Sequence, residues 1–290
     1  MRDFTEHALS LLPWRLRAEN SGAISSRAEE LRLRIGRRPT ALIDGEERAI
    51  SSASVTAEDL HLLLEKATGA SLHTVSFALR EGYLSYRGLR IGVCGQAVIR
   101  EDGAAVLQNV SSVAIRIPHE LRGICSEAMH EYGLKGFRST LLISPPGWGK
   151  TTALREIIRR LSEAGRRVCV ADERNELSAS VGGAAQFDLG PCTDVLIGIP
   201  RSEASLILLR GMNPEILAMD EITKEEDAEA LLQCCGCGVE LLASAHAEDL
   251  SSLSRRPVYR KLLEEKLFTY LLLIRRAGTE RSYTLCRIPY

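Results

Sequence analysis

Leu141-Leu142-Ile143 runs directly into Ser144-Pro145-Pro146-Gly147-Trp148-Gly149-Lys150-Thr151-Thr152, after which a helical pattern continues to about residue 163. A short aliphatic strand, a glycine-bearing loop and Gly-Lys-Thr at a helix start make up the Walker A phosphate-binding pattern, with Ser144 in place of its first glycine. The residue types follow from the chemistry. Glycines let backbone N–H groups wrap an anion without side-chain obstruction, and the helix that follows points its positive end at the same charge. In such a loop Lys150 reaches the β- and γ-phosphate oxygens and the Thr151 hydroxyl ligates Mg²⁺. The expected ligand is ATP with Mg²⁺, held by Ser144, Pro145, Pro146, Gly147, Trp148, Gly149, Lys150, Thr151 and Thr152. Two readings stand for Trp148: a packing side chain, or a shield over the phosphates.

A phosphate loop needs a partner that holds the metal and orients the nucleophile. Ile216-Leu217-Ala218-Met219-Asp220-Glu221 is an apolar strand ending in two carboxylates, the Walker B form. Asp220 is expected to bind Mg²⁺ through a water, and Glu221 to polarise the attacking water, a task that metal and lysine do not perform. Two further polar groups follow apolar strands, in Ala171-Asp172-Glu173-Arg174 and Ala243-Ser244-Ala245-His246. In a parallel sheet the carboxyl ends of the strands share one rim, so these groups converge on the nucleotide crevice. Glu173 is read either as orienting water or as part of a local ion-pair network. His246 is read either as a γ-phosphate sensor or as a solvated loop histidine.

Outward from this centre, Thr140–Ile143, Val168–Ala171, Ile216–Met219 and Val239–Ala243 are nearly all apolar, as in strands buried on both faces of a mostly parallel sheet. Helices at about 150–163, 203–211 and 224–235 supply the crossovers, and 267–275 with 282–287 forms a closing hairpin. The earlier part has a different texture. Leu31, Leu33 and Ile35 alternate with Arg32 and Arg34, a half-buried strand, and Ala41–Asp44 is a second. Thr56 with Asp59 opens a helix bearing Leu60, Leu63, Leu64 and Ala67, which Gly69 ends. Strands at 82–86, 89–94 and 113–117 and a helix near 119–132 lead to Gly133-Leu134-Lys135-Gly136, the expected linker. The fold class is α/β, with an α+β domain at 1–134 and a P-loop domain at 135–290.

Composition agrees with a folded, water-soluble chain. The 290 residues are 45% hydrophobic and 26% charged with a net charge of −1, which excludes disordered and collagen-like classes. No apolar run approaches the roughly 20 residues of a membrane span. The first six residues have no apolar core, so no signal peptide is expected and the protein should stay in the cytosol. Its eight cysteines then read as reduced thiols, Cys234-Cys235-Gly236-Cys237 lacking a second pair at zinc spacing.

The Walker A string, Asp172-Glu173-Arg174-Asn175-Glu176, Thr193-Asp194-Val195-Leu196, Arg210-Gly211-Met212-Asn213-Pro214-Glu215 before Asp220-Glu221-Ile222, and Ala245-His246 recur in this order in one family. The chain resembles the stage III sporulation protein AA family, itself similar to the hexameric ATPases of type II and type IV secretion and pilus assembly. Leu31-Arg32-Leu33-Arg34-Ile35-Gly36, Gly82-Tyr83, Arg90-Ile91-Gly92-Val93-Cys94-Gly95 and Arg116 extend the likeness over nearly the whole chain. The resemblance implies a RecA-like P-loop ATPase core with a smaller N-terminal domain, assembled as a homo-oligomeric ring, a hexamer, on the cytoplasmic inner face of a membrane channel that sister proteins build during sporulation. It places Glu173 in an acidic box, Glu221 in Walker B and His246 in a histidine box, so the catalytic set is Lys150, Glu173, Glu221 and His246. Three positions depart from the family pattern: Ser144 and Ala247 replace glycines, and Cys192 stands where an arginine is expected.

From Arg255 to Arg281 eight basic residues face three acids. Three uses stand: a solvated face, contact with anionic lipid or nucleic acid, or an arginine finger reaching a neighbour's ATP, with Arg255, Arg256 and Arg260 as candidates. Arg90 and Arg116 are candidates for leaning on the phosphates from the first domain. Competing functions are a RecA-like nucleic-acid motor and a slow nucleotide-gated scaffold. Near-zero net charge and 14 aromatic residues give little sign of a nucleic-acid track, so no nucleic-acid partner is expected. With an indole inside the phosphate loop, addition of Mg-ATP is expected to shift Trp148 fluorescence; an unchanged spectrum at saturating nucleotide would place the indole away from the ligand.

Overall fold

A computed structural model of the chain describes residues 4–17, 28–43, 45–69, 83–99, 105–278 and 280–290. Two compact units emerge, Met1–His119 and Glu120–Tyr290. The division lies ahead of the 134/135 break read from the glycines, and the Gly133–Lys135 stretch of the expected linker is helical. The helix α4 defined below runs through it and ends only at Gly136. The reason is packing: Ala128 and Tyr132 of that helix lie in the core of the second unit. Upstream, the Glu120 carboxylate accepts from the Asp188 N–H at 3.0 Å, and Glu156 accepts from the Gly123 N–H at 3.0 Å.

The first unit contains α1 (Phe4–Leu11), α2 (Trp14–Arg17), β1 (Ala28–Arg34), β2 (Thr40–Ile43), β3 (Glu46–Ala49), α3 (Ala57–Thr68), β4 (Tyr83–Tyr86), β5 (Leu89–Ile99) and β6 (Ala105–Arg116). Its antiparallel sheet has the order β3-β2-β1-β6-β5-β4. The alternation in β1 does what its period dictates: Leu31 and Leu33 are fully buried while Arg32 and Arg34 reach toward water. In α3, Leu60, Leu63 and Leu64 are buried and Gly69 takes the left-handed cap conformation at φ 58°. Of the expected strands, Asp44 and Gly82 lie outside the described residues. Within this unit the elements unread from sequence are α1, α2 and the wholly exposed β3, whose Glu-Glu-Arg-Ala carries no apolar period. An ion pair from Arg34 to Glu47 at 2.9 Å ties that edge strand to β1.

The second unit contains α4 (Ser126–Lys135), β7 (Thr140–Ser144), α5 (Lys150–Glu163), β8 (Val168–Asp172), β9 (Thr193–Ile197), α6 (Arg201–Met212), β10 (Ile216–Met219), α7 (Glu225–Gly236), β11 (Glu240–His246), α8 (Leu250–Ser254), α9 (Pro257–Glu264), β12 (Tyr270–Ala277) and β13 (Glu280–Arg287). The sheet order is β13-β12-β7-β11-β10-β8-β9. All neighbours are parallel except the edge hairpin β12–β13. Strands β7, β8 and β10 are buried at every position, so successive side chains feed two separate cores. Leu141, Ile143, Cys169, Leu217 and Met219 pack under α6, α7 and α9 on one face. Leu142, Val168, Val170 and Ala218 pack under α4 and α5 on the other. This doubly wound arrangement turns β7, β8, β10 and β11 in the same direction, and their carboxyl ends form one rim.

The capping box of α3 is also a charge network. Thr56 Oγ1 accepts from the Asp59 N–H at 3.3 Å, and Asp59 Oδ2 accepts from the Thr56 N–H at 2.7 Å. Arg15 of α2 adds an Nε–Oδ1 bond of 2.8 Å and a second, shorter contact to Oδ2. Burial pushes the Asp59 carboxyl up, but the Thr56 and Arg15 hydrogen bonds outweigh it and hold the group below its ordinary value. A depressed carboxyl stabilises the fold above the ordinary aspartate range, and that contribution is lost as pH falls through the lower folded value. Asp59→Asn should therefore cost about 1–3 kcal/mol near neutral pH. Urea unfolding at successive pH values checks the sign: the gap between variant and parent closes in acid, and a gap independent of pH would contradict the network.

Candidate functional site

The loop between β7 and α5 folds around its lysine. Gly147 and Gly149 have φ of 74° and 96°, in the left-handed region that favours glycine. Ser144 does not lie in that region, so a serine serves where the pattern has a glycine. Lys150 is 6% exposed, and its ammonium donates to the carbonyls of Ser144 at 3.1 Å and Pro145 at 3.2 Å. It also lies 2.7 Å from His246 Nδ1. An ammonium can only donate, so Nδ1 accepts and the neutral ring carries its proton on Nε2. Burial lowers the Lys150 ammonium from its ordinary value, while the Asp220 and Glu221 carboxylates oppose that shift.

One residue further on, the Thr151 hydroxyl donates to Asp220 Oδ2 at 2.7 Å, joining the phosphate loop to the tip of β10. Strand β11 lies between β7 and β10 and supplies the brace. Its fully buried Ser244 donates to Asp220 Oδ1 and accepts from the Glu221 N–H at 3.0 Å. Glu221 has φ of 53°, a left-handed conformation that costs a non-glycine residue about 1–3 kcal/mol. The turn is held against that cost on several sides. Ile222 N–H donates to the Ser244 carbonyl at 3.1 Å, and the buried Tyr259 hydroxyl donates to the Ile222 carbonyl. The Glu221 side chain faces His246 Nε2 at 3.4 Å and the Arg174 guanidinium at 3.8 Å.

The last residue of β8 and the one that follows it divide their work. Asp172 accepts from the N–H groups of Glu176, Leu177 and Ser178 and from the Ser178 hydroxyl, at 2.7–3.2 Å, and so shapes its own loop. The Glu173 carboxylate is engaged by Arg201 Nε at 2.8 Å. Arg201 is 5% exposed and also donates to the carbonyls of Asp220, at 2.8 Å, and of Glu221. No motif spacing singled this arginine out. The one available signal was a charged residue opening an otherwise apolar helical face, in Pro200-Arg201-Ser202-Glu203.

The remaining expectations fall out by position. Cys192 precedes β9 at its amino end, the rim opposite the loop, where its N–H donates to the Ser162 hydroxyl at 2.7 Å. Ala247 has an ordinary backbone, and its N–H donates to the Ser144 carbonyl at 3.3 Å, so no glycine is required. Among the finger candidates Arg256 lines a cavity of about 170 Å³ with Glu221, His246 and Tyr259, inside its own unit. Arg255 caps α8 and Arg260 donates to the Ser254 carbonyl at 3.3 Å. A basic residue not singled out, Arg281 of β13, donates to the Trp148 carbonyl at 3.2 Å and lies against Gly149. The Trp148 side chain itself is half-buried. In the first unit Arg90 stacks on Tyr83 and Arg116 lies 3.7 Å from Glu30.

Comparison with known proteins bears on the family and the fold. Residues 5–283 match the family model described as sporulation stage III, protein AA. The stage III sporulation protein AA of Bacillus subtilis (strain 168) is 35% identical over 256 residues, covering 86% of this chain and 83% of that protein. Among solved structures, the pilus retraction motor PilT with bound ADP superposes with a TM-score of 0.63 at 16% identity, covering 91% of this chain and 80% of PilT. The Legionella pneumophila ATPase DotB gives 0.61 at 15% identity, covering 97% and 78%. At such identities the likeness is one of architecture, the RecA-like ATPase fold. On the strength of the model match and the Bacillus relative, the chain belongs to the sporulation stage III protein AA family.

Proposed function

We propose that this protein is a Mg²⁺-dependent ATPase that works as a homo-oligomeric ring, a hexamer, and powers or assembles a membrane channel during sporulation. The observation that carries the enzymatic half is the 2.7 Å contact between Thr151 Oγ1 and Asp220 Oδ2, one residue from a lysine whose ammonium is held inside the phosphate loop. The donor set fits Mg²⁺. Among the described residues no group of three or more His, Cys, Asp or Glu side chains gathers to cage an ion. Mg²⁺ characteristically takes few protein ligands and completes its shell with water and phosphate. Thr151 and Asp220 would hold it. When bound, the ion neutralises charge building on the β- and γ-phosphate oxygens.

The chain's own residues do the rest. The loop N–H groups of Gly147–Thr151 and the positive end of α5 bind the triphosphate, and Lys150 exchanges its loop carbonyls for phosphate oxygens. Glu221 orients a water and accepts its proton on a side-chain oxygen. His246 lies between Lys150 and Glu221, at 2.7 and 3.4 Å, and so senses whether the lysine is engaged with phosphate. Family membership and a fold shared with a pilus retraction motor support the ring and the channel role. Among the described residues no helix is long and apolar enough to cross a membrane, which suits a motor docked on channel proteins at the cytoplasmic face.

Lys150→Ala should lose ATP binding while keeping its circular dichroism spectrum. Glu221→Gln should bind Mg-ATP within about threefold of the parent yet hydrolyse it roughly 10²-fold more slowly, since only the water-orienting group has gone. Phosphate release and nucleotide titration separate the two. Mass measured in solution with and without ATP tests the ring. Equal turnover in all three proteins would contradict the site, and turnover stimulated by DNA or RNA would favour a nucleic-acid motor.

A further inference from the structure

We infer that Arg201 is a positioning residue for Glu221, and that Glu173 acts through Arg201 rather than on the attacking water itself. The inference rests on the ATPase assignment for its kinetic meaning and on the geometry alone for its structural meaning. Glu221 stands in a left-handed conformation, so the direction of its side chain is set by a backbone that would relax if released. The Arg201 guanidinium is what grips that backbone from the side of β8: it donates to the carbonyls of both Asp220 and Glu221. A planar fork can serve two carbonyls and a carboxylate at once, whereas an ammonium serves them poorly from one point. The third partner, Glu173, is bound at 2.8 Å, and its carboxylate also receives the Arg201 N–H at 3.4 Å. Glu173 therefore anchors a charge that is 5% exposed, which without a counter-ion would be left buried and unpaired. The acid after β8 and the acid after β10 are thus two ends of one device. One holds the arginine, and the arginine aims the other.

Two conservative variants and their combination test this: Arg201→Lys, Glu173→Gln and the double substitution, each first checked for an unchanged far-ultraviolet spectrum. In the nucleotide-free protein, hydrogen exchange at the Glu221 and Ile222 amides should speed up by about tenfold or more in Arg201→Lys, with the loop amides of Gly147–Thr151 unaltered. With Mg-ATP, kcat should fall roughly 10²-fold, the scale of a small misplacement of a reacting group, while KM moves less than about threefold. The double variant should be no slower than Arg201→Lys, because both substitutions break one chain of contacts. A double variant slowed by the product of the two single effects would overturn the inference, placing Glu173 on the water independently. Unaltered exchange at Glu221 and Ile222 in Arg201→Lys would overturn it as well. Were the parent itself unable to hydrolyse ATP, the ATPase assignment would fail while the exchange measurement still decided the positioning role.

Discussion

The structure depends on a hydroxyl that must do two jobs in one place. Thr151 lies in the first turn of α5, and its side chain reaches the carboxylate at the tip of β10 at 2.7 Å. For that to happen, a loop after one strand and an acid after another must come within hydrogen-bond distance although β11 separates them in the sheet. Parallel strands make this possible by bringing their carboxyl ends to a common rim. Ser244 on β11 fills the gap, giving its proton to Asp220 and its lone pair to the Glu221 N–H. A purely apolar residue there would take the side-chain partner from the Glu221 N–H, at a cost of about 0.5–1.5 kcal/mol.

From that contact the polar rim extends in two directions. Toward the loop, His246 takes the lysine ammonium on one nitrogen and faces the Glu221 carboxylate with the other. Toward β8, Arg201 and Glu173 hold the backbone of the acid pair. The two routes meet at Glu221, which holds a left-handed conformation without being a glycine. Strain at a position so fully braced is the kind that persists where function needs a side chain aimed in a set direction.

Much of this could be read from the amino acids. The loop, its helix from Lys150 to Glu163 and the apolar strands β7, β8 and β10 were legible because burial on both faces leaves a run of aliphatic residues that nothing else explains. Thr56 and Asp59 announced a helix start by their spacing. What stayed hidden lacked such a period. Strand β9 is mostly half-buried and β3 wholly exposed, so neither carries a clear alternation. The unit boundary was obscured because Gly133, a residue that usually breaks a helix, lies inside α4, where buried Ala128 and Tyr132 outweigh its propensity. Arg201 was invisible for another reason: its partners lie 28, 19 and 20 residues away in sequence, and only the crossover from β9 into α6 brings it beneath the acid pair. Arg281 is hidden in the same way, delivered to the loop by the edge hairpin. Glu173 was found as a residue but not in its partnership, since a strand-end acid looks alike whether it faces water or an arginine.

Calorimetric titration of ATP with and without Mg²⁺, into the parent protein and into Asp220→Asn, tests the central claim most directly. If the loop hydroxyl and the strand-tip carboxylate share one ion beneath a triphosphate, Mg²⁺ should tighten ATP binding to the parent by at least about tenfold, a difference of roughly 1.4 kcal/mol. Asp220→Asn should lose that increment while still binding ATP alone. Equal enhancement by Mg²⁺ in both proteins would mean that the 2.7 Å contact has nothing to do with the metal, and the account built on it would fall.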